Sequence, residues 1–358
     1  MAKIEKTTSA SKNSVEDQTN EQVLMPVPYL LFLGDCQIEE AAKTAFGLVQ
    51  WRRELCIGQL RLSDCKIDVG LSDVTIQQAT SMGAKSLVIG VVNAGGFISD
   101  EWVSYFVEAL DAGLDLVSGM HQSLSDIPAL KEAARRNGQK LIDIRSNTRN
   151  FETGTGRKRS GKRVLTVGPD CAIGKKYSAL SIEQSLRDLG VKADFRATGQ
   201  TGVMIAGRGI AIDAIVSDFM AGAAEWLSPD NDPDHWDVIE GQGSLFHPAY
   251  AGVSVGLMHG SQPDALVICH QPGRKNIISV ENYELPSLRD CIELNMAMAK
   301  LTNPAVKTVG VCANTSKLSA QEAEVAIRAI EDEVGLPCCD PVREGTEKIA
   351  KYMLEIYN

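Results

Sequence analysis

The run Arg163-Val-Leu-Thr-Val-Gly-Pro-Asp-Cys-Ala-Ile-Gly-Lys-Lys-Tyr-Ser178 carries the strongest local signal in the chain. Val164 to Val167 reads as a short β-branched strand and Gly168 to Gly174 as a glycine-bounded loop. A helix follows, with Ala179, Ile182, Leu186 and Leu189 on one face and Gly190 as its stop. That layout belongs to a phosphate-binding loop, in which glycines let the backbone curl and N–H groups converge on an anion at a helix N-terminus. The predicted cofactor-binding set is Gly168, Asp170, Cys171, Ala172, Ile173, Gly174, Lys175 and Lys176.

Two features depart from the common pattern of four residues between the glycines and a hydroxyl after the lysine. Five residues intervene, and Lys176 stands where the magnesium-binding Ser or Thr would be. Phosphoryl transfer leans on Mg²⁺ to neutralise charge on the phosphates. A second ammonium can grip a pyrophosphate without a metal. The loop is therefore expected to hold a phosphate-bearing carrier with no metal of its own.

Around this loop the strands and helices alternate. Tyr29–Gly34, Leu55–Leu62, Ser86–Asn93, Leu114–Ser118 and Lys140–Ile144 read as strands of a first half. Val191–Arg196, Asp237–Glu240, Ala265–His270 and Thr308–Ala313 follow the loop strand in a second; Ala197–Gly202 reads as a polar loop after the first of these, and Ser72–Gly83 in the first half as a capped helix ended by glycine. Near-continuous apolar runs of this kind imply sheets covered on both faces. The fold class is thus α/β: two doubly wound, mainly parallel sheets, the second carrying the phosphate loop. The predicted boundaries are a flexible tail over 1–25, a first α/β domain over 26–145, a basic linker over 146–162 and the P-loop domain over 163–358. Arg157-Lys-Arg-Ser-Gly-Lys-Arg163 has five cations and no carboxylate. It reads either as a solvated linker or, since it abuts the loop, as a contact for a terminal phosphate. Gly95 and Gly96 follow a strand without completing a dinucleotide fingerprint, which favours a packing turn.

The 358 residues suffice for two well-buried domains, and a net charge of −10 argues against nucleic acid as a partner. Nine cysteines with no Cys-x-x-Cys pair, no recognisable signal peptide and no apolar run of spanning length point to reduced cytoplasm and no membrane. The expected partners are small-molecule substrates and, for an enzyme of this size, further copies of the chain.

In an open α/β sheet the strands' C-terminal ends converge on one crevice. Glu240 ends a buried strand there; it reads as a general base with a pKa raised by burial, or as a carboxylate capping a neighbouring helix. Asp213 and His247 are further catalytic candidates. Gln200, Thr201, Gln242 and Arg274 form the substrate-binding set, with Arg274 offering a planar fork for a carboxylate or a salt bridge. Cys171, at a helix N-terminus, is a candidate for a covalent acyl intermediate or a plain buried thiol.

Four segments in order, Val167-Gly-Pro-Asp-Cys-Ala-Ile-Gly-Lys175, Ala197-Thr-Gly-Gln-Thr-Gly202, Ile239-Glu-Gly-Gln-Gly-Ser244 and Cys312-Ala-Asn-Thr315, resemble the P-loop-containing D-glutamate N-acetyltransferase family, from about residue 26 onward. The lengthened loop is also similar to that of dethiobiotin synthetase-like proteins. Pro169 stands where the family's loop often has threonine. The resemblance implies a Rossmann-like N-terminal domain over 26–145 and a P-loop NTPase-like C-terminal domain over 163–358, and with them transfer of the acetyl group of acetyl-CoA to the amino group of D-glutamate or a similar D-amino acid, with no metal. The alternatives are an ATP/Mg-dependent kinase or ligase, with Ser178 or Glu240 recruiting the ion, and a non-catalytic nucleotide- or CoA-binding sensor.

Overall fold

The computed structural model describes residues 25–92, 95–146 and 149–357. The expected N-terminal tail, and the end of the strand expected through Asn93, lie outside them. Strands β1 (Tyr29–Gly34), β2 (Cys56–Arg61), β3 (Ser86–Ile89), β4 (Asp115–Ser118) and β5 (Leu141–Asp143) form an all-parallel sheet in the order β2-β1-β3-β4-β5. Helices α1 (Lys43–Arg52), α2 (Ile76–Ser81), α3 (Asp100–Asp111) and α4 (Pro128–Asn137) cover it. Every side chain of β1 and β3 is buried, as a sheet wrapped on both faces requires. Helix α2 starts later than the periodicity suggests. Thr75 and Gln78 close a capping box there, while Asp73 upstream bridges back to Gln59.

The second sheet is also all-parallel. Strands β6 (Lys162–Val167), β7 (Ala193–Arg196), β8 (Trp236–Ile239), β9 (Ala265–His270), β10 (Lys307–Ala313) and β11 (Cys338–Cys339) run in the order β11-β10-β9-β6-β8-β7. Helices α5 (Lys175–Asp188), α6 (Gln200–Ala206), α7 (Ser217–Leu227), α8 (Ala251–Ser261), α9 (Leu288–Lys300), α10 (Ala320–Val334) and α11 (Glu347–Tyr357) pack around it. Ala179, Ile182 and Leu186 of α5 are fully buried. The segment Ala197–Gly202, expected as a loop, turns into α6 at Gln200 with Gly199 as its N-cap. Threonine and glycine are poor helix formers, so packing decides here.

That packing is against the other domain. Leu48 of α1 and Val203, Met204 and Ile205 of α6 belong to one apolar core. Thr44 and Thr201 share a buried 2.9 Å hydrogen bond across the join. Such a bond contributes about 1 kcal/mol, whereas burial of a single large aliphatic side chain contributes about 1.5–3 kcal/mol. Apolar area therefore holds the two units together. Arg145, two residues past β5, donates to Gly119 O at 2.8 Å and pairs with Asp213 across the same boundary. The C-terminal ends of the first sheet thus face the P-loop domain.

The basic run divides: Arg157 and Lys158 stay exposed, as a solvated linker would leave them, while Arg159 and Arg163 turn inward. Arg159 and Arg163 are buried, donating to Gly260 O and Ser261 O and to Ser160 O, Pro229 O and Ser228 Oγ. Arg157 and Lys158 pair with Asp230 and Asp264. All this lies at the N-terminal end of β6, one strand length (~20 Å for six residues) from the phosphate loop at its other end. Among the described residues no helix is long and apolar enough to cross a membrane.

Candidate active site

Val167 delivers the chain into the loop at the point where β6 meets β9, and the turn there has no spare room. A Cβ on Gly168 would lie 2.5 Å from Cys269 O. Gly174 ends the loop at φ +107 and caps α5, a conformation that excludes other residues without strain. Asp170 is fully buried and organises the curve: Oδ1 accepts from Cys171 N at 2.6 Å, and Oδ2 accepts from Ile278 N and Arg274 Nη2, each at 2.8 Å. Arg274 also donates to Cys171 O (3.1 Å) and Gln271 Oε1 (3.2 Å). Its fork is occupied by the loop and does not stand free for a substrate carboxylate.

Lys175 is buried and donates to Asp170 O at 2.7 Å, with burial pushing its pKa down. Lys176 is half-buried; its ammonium lies 4.5 Å from the Tyr177 ring centroid and close under Gly47 of α1. Burial lowers its pKa to about 8, against the pull of Glu240. Burial likewise raises the Cys171 thiol above its ordinary range, despite Lys175, Arg274 and Lys43 nearby. The expected helix-terminus thiolate is thereby disfavoured. Ala172 and Ile173 complete the loop, Ala172 exposed at φ +54 and Ile173 buried beneath it.

Glu240 stands just past β8 and is buried. Oε2 accepts from Thr198 N and Gly199 N, both at 3.0 Å. Burial raises its pKa, while those two N–H groups, Lys176 and Lys175 pull it down. A Cβ on Gly202 would lie 2.2 Å from Oε2, so the glycine makes room for the carboxylate. Gln242 donates to Thr198 Oγ1 at 3.2 Å, and Gln200 and Thr201 open α6 beside it. Glu240, Gln242, Gln200 and Thr201 thus gather at the ends of β7 and β8, with Lys176 between them and the loop.

The other two catalytic candidates are placed differently. Asp213 faces Arg145 across the domain boundary. His247 is buried: Nδ1 accepts from Ala249 N at 3.1 Å, so Nε2 carries the proton and donates to Ile278 O at 3.2 Å. Asp170, Cys171 and His247 offer ligand atoms within 4.8 Å of one another. With both imidazole nitrogens and both Asp170 oxygens engaged, and the thiol pushed up, the trio shapes the loop and is a poor cation site.

A cleft of about 830 Å³ opens beside the loop. Its walls include Ala172–Gly174 and Tyr177 from the loop and α5, Gln271–Arg274 after β9, Asn314 and Lys317 after β10, Arg343 after β11, and Glu39, Glu40 and Lys43 of the first domain. Lys43, Tyr177, Lys317 and Arg343 escaped the sequence reading, because no spacing rule links residues on different strands. Asn314 sits where the strand-end rule puts a ligand.

A family model described as a P-loop domain of unknown function, DUF1611, matches residues 150–350, and its Rossmann-like N-terminal counterpart matches residues 61–147. The chain belongs to the DUF1611 family. It is 46% identical over 322 residues to a D-glutamate N-acetyltransferase of a Pseudoalteromonas species, covering 90% of this chain and 97% of that one. It is 45% identical over 326 residues to a protein of the same name from Tritonibacter scottomollicae, covering 91% and 98%. The crystal structure of a DUF1611 family protein from Anabaena variabilis superposes with a TM-score of 0.84 at 31% identity, over 92% of this chain and all of that one. The family resemblance read from the four motifs therefore holds, and with it the class of enzyme, an acyltransferase.

Proposed function

We propose that this DUF1611 protein transfers the acetyl group of acetyl-CoA to the amino group of D-glutamate or a close D-amino acid. What carries the proposal is the identity of 45–46% across nine-tenths of the chain to enzymes of that name. The chemistry of the loop agrees with it. CoA brings a diphosphate, and Lys175 and Lys176 stand where an anion of that kind would be neutralised. Ser178, the hydroxyl available to an ATP/Mg reading, is 1% exposed; it donates to Gly174 O at 3.0 Å and accepts from the Cys269 thiol at 3.2 Å.

In this reaction the donor's diphosphate lies against the loop Gly168–Lys176. Glu240 takes a proton from the acceptor's ammonium group, and the freed amine attacks the thioester carbonyl. Collapse of the tetrahedral adduct breaks the C–S bond, and the departing CoA thiolate takes up the proton that the adduct's nitrogen sheds, leaving the amide and CoA. Gln200, Thr201 and Gln242 line the acceptor's side.

A thiol-release assay with acetyl-CoA over a panel of D- and L-amino acids tests the proposal, beside calorimetric titration of CoA and of ATP with and without Mg²⁺. Turnover confined to acidic D-amino acids, with CoA binding indifferent to Mg²⁺, is expected. Tight ATP binding that needs Mg²⁺, with no thiol release, would replace it by the kinase or ligase alternative. CoA binding without turnover of any amine would leave a sensor.

A further inference from the structure

The first domain reaches the cleft through helix α1 and the turn Glu39–Ala42 before it. Helix α1 begins with Lys43 just beyond the C-terminal end of β1, at the point where the strand order reverses between β1 and β3. Open sheets place ligands at that position. Its placement is tightly determined. Thr44, the next residue, shares the buried hydrogen bond with Thr201, and Ala45 N donates to Gly90 O at 2.9 Å. Gly47, one turn on, is pressed so closely against α6 and α5 that a Cβ there would lie 2.9 Å from Thr201 Cγ2 and 3.0 Å from Lys176 Nζ.

Lys43 therefore stands in the wall of the 830 Å³ cleft, which Arg274 and the loop residues Ala172–Gly174 also line. Its ammonium has no hydrogen bond or ion pair among the described residues. Glu40 is the carboxylate near enough to favour its charge, whereas burial and Arg274 oppose it. Lys43 in turn lowers the pKa of Lys176. Four cations from two domains, Lys43, Lys175, Lys176 and Arg274, thus crowd one loop, with Asp170 engaged by Arg274 and Glu240 by backbone N–H groups. Like charges so arranged repel, and an anion placed among them relieves the repulsion. Lys43 is exposed, and it lines the cleft beside the phosphate loop, at a domain junction held by the Thr44–Thr201 bond.

We propose that Lys43 is a phosphate ligand which the N-terminal domain supplies to the loop, so that the donor's diphosphate is gripped from both domains. It deepens the acetyl-CoA proposal and rests on it for the identity of the donor, while the ligand chemistry, a diphosphate, stands on the loop itself. The N-terminal domain then takes part in donor recognition and is more than a lid on the sheet.

The test uses the full chain with EDTA present, titrating CoA and, separately, inorganic pyrophosphate into wild type, Lys43→Ala and Lys43→Arg. Loss of at least tenfold in affinity for both probes is expected for Lys43→Ala, and a loss under threefold for Lys43→Arg. In turnover, Lys43→Ala should raise KM for acetyl-CoA about tenfold, with kcat within threefold and KM for the amino acid unchanged. Thermal melts of all three proteins separate misfolding from lost contact. If wild type binds CoA and Lys43→Ala binds it equally well, the assignment of Lys43 falls alone. Pyrophosphate binding that depends on Lys43, with no binding of CoA, would keep Lys43 and overturn the donor. If neither probe binds wild type, both fall. A rise in KM for the amino acid alone would also overturn the assignment, placing Lys43 on the acceptor.

Discussion

Asp170 and Arg274 close on each other at 2.8 Å, tying the phosphate loop to the turn after β9. Asp170 is fully buried and Arg274 half-buried. Removing the arginine leaves a buried carboxylate with two backbone donors and no cation. Arg274→Ala should therefore lower stability by on the order of 3 kcal/mol, measured by urea unfolding, and should raise KM for the donor through a loosened loop. Arg274→Lys keeps the charge but not the fork and should recover little of either. If Arg274→Lys instead raised KM only for the amino acid, the guanidinium would be a substrate ligand after all.

Glu240 accepts two backbone N–H bonds through Oε2 alone, so glutamine in its place can keep an oxygen there and preserve the start of α6. Glu240→Gln should melt within a few degrees of wild type while kcat falls ~10²-fold or more, the usual scale for a general base. A loss below tenfold would leave Glu240 the capping role alone. Gly202→Ala should mimic the defect from the opposite side, since the added methyl would occupy the space of the carboxylate.

The pH profile follows from Lys176. Its pKa in the folded, ligand-free protein is lowered to about 8, so above that value the ammonium becomes neutral. The ratio kcat/KM for the donor, which reports the free enzyme, should fall above pH about 8, and Lys176→Gln should abolish this limb by starting from the low value throughout. Stability moves the other way. A lysine with a depressed folded pKa binds fewer protons when folded, so its burial opposes folding fully below pH about 8. That cost fades as pH climbs from there toward the ordinary lysine value of 10.5. Glu240, with its pKa raised by burial, should supply the acid limb as it deprotonates.

The strand–loop–helix around Gly168 was legible because its signals are local: β-branched residues, two glycines and a 3.6-residue stripe follow one another in a single continuous stretch of chain. Both parallel sheets were legible for a similar reason, since strands buried on two faces read as apolar runs. What escaped is non-local. Thr201 and Gly202 read as loop residues until α1 packs on them and makes them helical. Arg159 and Arg163 read as solvated because the sequence does not show Ser228, Asp230 and Asp264 converging on that segment. Lys43 carries no motif; two domains must dock before it faces a phosphate loop.

Cys171 sits in the loop at the position a thiol nucleophile would use, yet burial holds its pKa above the ordinary thiol value. His247 cannot activate it, because Nδ1 accepts from Ala249 N and Nε2 donates to Ile278 O. Direct attack of the amine on the thioester then needs no acyl-enzyme. Cys171→Ala should keep kcat within about threefold, and intact-mass spectra of wild type mixed with acetyl-CoA alone should show no gain of an acetyl group. Ping-pong kinetics, or a stable acetylated protein that disappears in Cys171→Ala, would move the chemistry onto the sulfur. Serine at this position is the weaker test, since its hydroxyl would find partners among the polar groups of the loop and alter its shape.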